Sequence, residues 1–206
     1  SGLSDGAGAG VYLNRQTLNA GASDVTINGT ATNGAGAFIH GNSVIRGGNI
    51  TINGTANTTA SSSGRGVHLL RDGTTTIAAT NNLAITGTVS GAGTGNGIRA
   101  NGGNISTAIL MTAGGTATLR GIQTGNSNNT APAVYLSGFR MNAAGDVTIQ
   151  AEAASSNSLA IHMNREAASL NGYDDGWRMQ VRSSGGNVLI QSNQGAVLGQ
   201  DTGGGV

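Results

Sequence analysis

Short runs in which apolar and polar residues alternate recur along the chain. One run places apolar side chains at Val25 and Ile27, Ile50 and Ile52, Leu83 and Ile85, Ala117 and Leu119, Val147 and Ile149, and Val188 and Ile190. Successive copies start 25, 33, 34, 30 and 41 residues apart. A second run keeps step with it at Val11 and Leu13, Ala37 and Ile39, Val67 and Leu69, Ile98 and Ala100, Val134 and Leu136, and Ile161 and Met163. A third apolar position falls between them at Leu18, Val44, Ile77, Met111, Met141 and Val181. Period two is the signature of strands with one face inward. Asn, Asp and Gly, which tolerate tight or left-handed backbone, precede most copies of the first run, as at Gly47 to Asn49, Asn81 to Asn82 and Gly185 to Asn187.

A unit of about 30 residues with three short strands cannot bury its inner face alone, and stacking copies solves this. The pattern therefore predicts an all-β protein: a right-handed parallel β-helix of about six coils, three short strands per coil. Each inward position becomes a column of aliphatic residues. Irregular coil lengths favour the right-handed form, since no strict six-residue beat is present. Coil length varies mainly at one corner, in 57–64, 89–96, 123–132 and 152–158, which read as loops. A further insertion, 167–177, lengthens the sixth coil elsewhere. Both ends read as interrupted coils, so 1–206 is expected to be a single β-helix segment of a much longer filamentous protein.

Composition narrows the picture. Of 206 residues, 37 are Gly, 22 Asn and 23 Thr, and aromatics make up only 3%, which suits a narrow core filled by small aliphatic side chains. Charged residues are 9% and the net charge is +1, so no basic footprint for nucleic acid is present. All ten basic residues are Arg and there is no Cys, which removes disulfides and thiolate chemistry. No apolar run approaches the ~18 residues that a membrane-spanning helix needs.

These residues resemble the filamentous-haemagglutinin-like β-helix region of large bacterial secreted adhesins, the exoproteins of two-partner secretion systems. The likeness is carried by the run from Gly48 through Asn49, Ile50, Thr51, Ile52, Asn53 and Gly54 to Thr55, by the related stretch 185–192, and by the absence of Cys and Lys beside abundant Asn, Thr and Gly. It spans nearly the whole chain with motifs generic to the architecture. It implies a non-enzymatic rod, secreted or held at the bacterial cell surface and associated with the outer membrane. Such a rod contributes to adhesion or biofilm by binding a host or bacterial glycan or a receptor protein along a lateral face. No catalytic residue, metal or cofactor carries over, and the segment alone is expected to be monomeric. Two further readings stand beside this one: a purely structural shaft of an adhesin or contact-dependent inhibition filament, and a polysaccharide lyase or hydrolase on the same architecture.

The residues that stand out chemically form a column. The middle residue of the second run points outward, and in coil order it reads Tyr12, Phe38, His68, Arg99, Tyr135 and His162. Three residues on, Arg15, Arg71 and Arg165 recur, followed by Gln16, Asp72 and Glu166. Flat rings beside guanidinium forks suit sugar rings or anionic glycans. The same stacking also stabilises a β-helix face with no ligand, at ~0.2–1 kcal/mol per cross-strand pair. His68 and His162 lie three rungs apart, roughly 14 Å at the inter-strand spacing, too far to share a metal ion. The insertion adds Tyr173, Asp174, Asp175 and Trp177 as a second contact site for sugar or calcium. Asp24 and Asp146 fall in the turn slot held elsewhere by Asn49, Asn82 and Asn187, and so read as turn formers. Asn28, Asn53 and Thr86 form a column that reads as a structural ladder. Thr26, Thr51, Thr118 and Thr148 suggest an ice-binding row, which Ala84 and Leu189 interrupt.

Overall fold

The computed structural model describes residues 8–60, 62–70, 72–102, 108–126, 128–156, 159–165 and 179–201, with side chains for all of these but 164, 165 and 197–201. Among the described residues there is no helix. Nineteen strands run in the order β1 (Val11–Asn14), β2 (Thr17–Asn19), β3 (Val25–Thr32), β4 (Gly34–His40), β5 (Val44–Gly47), β6 (Ile50–Thr58), β7 (Ser63–Leu70), β8 (Thr75–Ala79), β9 (Leu83–Gly91), β10 (Thr94–Asn101), β11 (Ile109–Ala113), β12 (Ala117–Gln123), β13 (Val134–Ser137), β14 (Phe139–Ala143), β15 (Val147–Glu152), β16 (Ile161–Arg165), β17 (Gln180–Ser183), β18 (Val188–Ser192) and β19 (Ala196–Asp201).

Every third strand pairs in parallel with the next, giving three sheets. The first holds β1, β4, β7, β10, β13, β16 and β19, the second β2 to β17, and the third β3 to β18. The chain thus winds six three-strand coils of a parallel β-helix and begins a seventh at β19. That last strand lay outside the expected repeats. It pairs with β16 through a register shift at Met163 and Asn164, which breaks the periodic signal.

Why do these segments lie on one another? The first run meets in the expected register, Ile27 on Ile52, Ile52 on Ile85, Ile85 on Leu119, Leu119 on Ile149 and Ile149 on Ile190, and so does the second, Leu13 on Ile39, Ile39 on Leu69, Leu69 on Ala100, Ala100 on Leu136 and Leu136 on Met163. A slip of one residue would turn each buried aliphatic to solvent. Ile39, Leu69, Ile52, Ile85, Ile98 and Leu136 are fully buried, each contributing ~1.5–3 kcal/mol of apolar burial. At the end rungs the same columns open: Val11, Leu13, Leu18, Val181 and Ile190 are only partly covered.

The third run needs one correction. Leu18 registers with Ile45, not Val44, and Ile45 with Ile77. Ile45 is fully buried while Val44 is half-buried. Both residues are β-branched and apolar, so alternation alone does not choose between them. The fixed pairing with Ile77 does.

The variable corner is also more ordered than loops. Strands β6 and β9 continue in register through Asn57 on Ser90 and Thr58 on Gly91, and β7 and β10 start with Ser63 on Thr94. The first and third sheets therefore extend past the main core as two facing layers, a wing. Its base is a pinch where the backbones touch. A Cβ on Gly54 would overlap the carbonyl oxygen of Gly66, and one on Gly87 that of Gly97. Only glycine permits this approach. Beyond the pinch the interior is small, with Gly64 set against Ala56 and Thr58. In the fourth coil Gln123 fills it instead: its Nε2 donates to Gly95 O at 2.5 Å and to Ala131 O at 2.7 Å. Asn129 Nδ2 donates to the same Gly95 carbonyl at 3.0 Å. These bonds fasten the connection after β12 across the wing.

Candidate functional site

Parity places the middle residues of β1, β4, β7, β10, β13 and β16 on the outer side of the first sheet, because their neighbours on both sides fill the core. Register then stacks them: Tyr12 on Phe38, Phe38 on His68, His68 on Arg99, Arg99 on Tyr135 and Tyr135 on His162. The six expected residues form one column.

The column is not uniformly open. Tyr12 is 45% exposed, whereas Phe38 and His68 retain 5% and 6%. Stacking is the cause. The Tyr12 and Phe38 rings lie 5.2 Å apart and tilted, and Phe38 and His68 lie 4.7 Å apart and nearly parallel at 11°. His40 covers Phe38 from the side at 5.6 Å. Phe38 and His68 thus form a closed ring stack, as the ladder reading expects. The upper part is more open: the Arg99 guanidinium sits over the Tyr135 ring at 5.3 Å, and His162 meets that ring edge-on at 5.4 Å. Arg99, Tyr135 and His162 are each half-buried. A sugar or peptide can reach Tyr12 at one end and the Arg99, Tyr135 and His162 group further along.

His68 is chemically the most constrained member. Its Nε2 is buried without a hydrogen-bond partner. Burial, reinforced by the Arg65 and Arg99 guanidiniums and by His40, holds its pKa well below the ordinary imidazole range. The ring is therefore neutral at pH 7 and serves as a flat aromatic.

Arg15 follows β1 and does not join the column. Its Nη2 donates to Asp72 Oδ2 at 3.1 Å, across two rungs, and His40 Nε2 lies 3.9 Å from the same oxygen. Gly41, with φ of 69°, clears the way: a Cβ there would meet Arg15 Cγ at 2.8 Å. This exposed pair is a strap over the corner, worth ~0–1 kcal/mol. Arg71, Tyr173, Asp174, Asp175 and Trp177 lie outside the described residues, as does the side chain of Arg165.

Asp24 and its equivalents form a ladder at the corner before the third sheet. Asp24 Oδ1 accepts from Asn49 N and Nδ2, each at 2.9 Å. Asn49 Oδ1 accepts from Asn82 N at 3.2 Å, Asn82 Oδ1 from Thr116 N at 2.9 Å, and Asp146 Oδ1 from Asn187 N at 2.7 Å. The bond from the Asn49 amide, with that from its side chain, lowers the Asp24 pKa. These acids are turn formers. On the third sheet, Asn53 Nδ2 donates to Asn28 Oδ1 at 2.9 Å, which joins the first two members of that column.

One site was missed. The column of Asn28, Asn53 and Thr86 continues as Arg120, Gln150 and Gln191, and its side chains lengthen abruptly at the fourth coil. Arg120 Nη2 and Nε both donate to Glu152 Oε1, at 2.6 and 3.2 Å. With Ala151, Ser192 and Asn193, these residues line an open cavity of about 270 Å³. Extending the Asn and Thr column past Thr86 was the available signal.

No family model, curated protein or solved structure matches the chain. The functional reading therefore rests on its own residues.

Proposed function

We propose that this chain is a non-enzymatic segment of a bacterial surface or secreted adhesin: a rigid β-helical rod that binds a glycan or receptor protein along a lateral face. The observation that carries the reading is the in-register outer column of the first sheet. This chain has very few aromatics, yet one file gathers Tyr12, Phe38 and Tyr135 with His68, His162 and Arg99. Tyr12 and the Arg99–Tyr135 pair offer ring faces and a guanidinium at separated points along the axis. Each such contact is weak, and repetition along a filament multiplies avidity. Wild type and a Tyr12→Ala/Tyr135→Ala variant, with Phe38 retained to keep the buried stack, are compared on a glycan array. Loss of specific signal in the variant is expected, and equal binding removes the proposal.

The purely structural shaft is the second reading, favoured by the burial of Phe38 and His68. It predicts equal and negligible array signal for both proteins. Polysaccharide cleavage is supported least. Hydrolysis needs two carboxyl groups ~5–10 Å apart around one bond. Among the acids whose side chains are described, Asp24 and Asp146 hold turns four rungs apart, Asp72 is joined to Arg15, and Glu152 to Arg120. Incubation with acidic and neutral polysaccharides, read as new reducing ends or unsaturated products, tests it directly.

A further inference from the structure

We infer that the open cavity on the outer side of the third sheet is a second binding site, for a short neutral saccharide. It rests on different residues from the lateral column of the first sheet and stands whether or not that column binds anything.

The site arises from side-chain length on a constant backbone. In the first three coils the outer residues of this sheet are short: Asn28, Asn53 and Thr86 in one column, Thr30, Thr55 and Thr88 in the next. From the fourth coil the first column becomes Arg120, Gln150 and Gln191, and the second Ile122 and Glu152. The longer side chains stand up from the sheet and enclose a hollow. Asn193 closes one wall and is fixed there, its Oδ1 accepting from Ala153 N at 2.8 Å and its Nδ2 donating to Ala153 O at 3.0 Å.

The hydrogen-bonding groups of the hollow are held by one another and only partly used. Glu152 Oε1 takes both Arg120 bonds, and Gln150 Nε2 donates to Gln191 Oε1 at 3.4 Å. Among the described residues, Glu152 Oε2, Arg120 Nη1, Gln150 Oε1 and Gln191 Nε2 take no hydrogen bond. Two donor groups and two acceptors thus face solvent within one cavity. Sugar hydroxyls both donate and accept, so neighbouring hydroxyls of one ring can engage such a set.

Charge selects among sugars. Arg120 and Glu152 cancel, and the other polar linings are amides and a hydroxyl. A uronate or sulfated sugar would gain nothing net and would oppose Glu152, so the site fits a neutral ring. The 270 Å³ volume lies just under the range of ~300–1,000 Å³ for drug-sized ligands, which limits the occupant to one or two rings. Rungs ~4.8 Å apart place Gln150 and Gln191 within reach of one pyranose. Among the described residues no aromatic ring lines the hollow, so hydrogen bonds carry the recognition.

The full 206-residue chain is titrated by saturation-transfer NMR with cellobiose, with N,N′-diacetylchitobiose and with an unsaturated hyaluronan disaccharide as the anionic arm. Saturable binding of at least one neutral disaccharide is expected, with the uronate weaker. Gln150→Ala/Gln191→Ala should weaken the neutral ligand roughly tenfold, two lost hydrogen bonds being sufficient. Glu152→Gln, which exposes the Arg120 charge, should shift preference toward the uronate. Thr30→Ala, on the same face in the first coil and outside the hollow, should leave all three ligands unchanged. Absence of saturable binding of both neutral disaccharides overturns the inference. So does uronate preference in the wild type, or a Glu152→Gln protein with unaltered selectivity. If the double variant does not fold, Gln191→Ala alone, at an exposed position, carries the same comparison.

Discussion

Single residues here act through their neighbours on the adjacent rungs. His68 illustrates it. Its ring is buried against Phe38 between Arg65 and Arg99, so the folded protein resists its protonation while the unfolded chain does not. In the window from its unfolded pKa of about 6.5 down to its depressed folded value, the unfolded state binds more protons. Stability therefore rises with pH across that window and is flat above it. The melting temperature followed by circular dichroism should fall as pH drops below about 6.5. His68→Phe, which preserves a flat ring on Phe38, should lose most of that fall. Asp24 has the same sign of dependence in a more acidic window. Its folded pKa is lowered by the Asn49 bonds, so its contribution is present above the unfolded carboxylate pKa of about 3.9 and disappears as pH falls through the folded value. Asp24→Asn copies the residue used at Asn49 and Asn82, and should flatten the acid limb of the melting curve with little change at pH 7.

At the scale of elements, register is the decisive variable. Period-two alternation revealed most strands and the vertical order of their columns, including the six-residue file from Tyr12 to His162. It failed where two adjacent residues were equally apolar, at Val44 and Ile45, and where a bulge shifted pairing, at β19. It also missed the wing, because Ala, Thr and Gly there resemble a loop; only the approach of Gly54 to Gly66 explains why two layers lie flat together. The burial of Phe38 and His68 was equally hidden, since a sequence does not reveal how closely rings on successive rungs cover each other. Two substitutions check this account by urea unfolding. Ile45→Ala should cost ~2–5 kcal/mol as a buried large-to-small change, and Val44→Ala distinctly less. Gly54→Ala should cost ~1–3 kcal/mol or more, because its methyl meets backbone, whereas Gly8→Ala, with open space around it, should be silent.

For the molecule as a whole, the direction of the backbone hydrogen bonds matters most. They run from rung to rung, along the length of the rod, and each coil holds only its two neighbours. Tension applied between the chain ends thus meets one rung at a time, and the polypeptide pays out like thread from a reel. A coil of about 30 residues releases roughly 100 Å of contour. Single-molecule extension of the chain should accordingly give a series of small, similar force peaks at that order of spacing, in place of one large rupture. A tether built this way lengthens under load while the rungs still wound, and the faces they carry, remain intact.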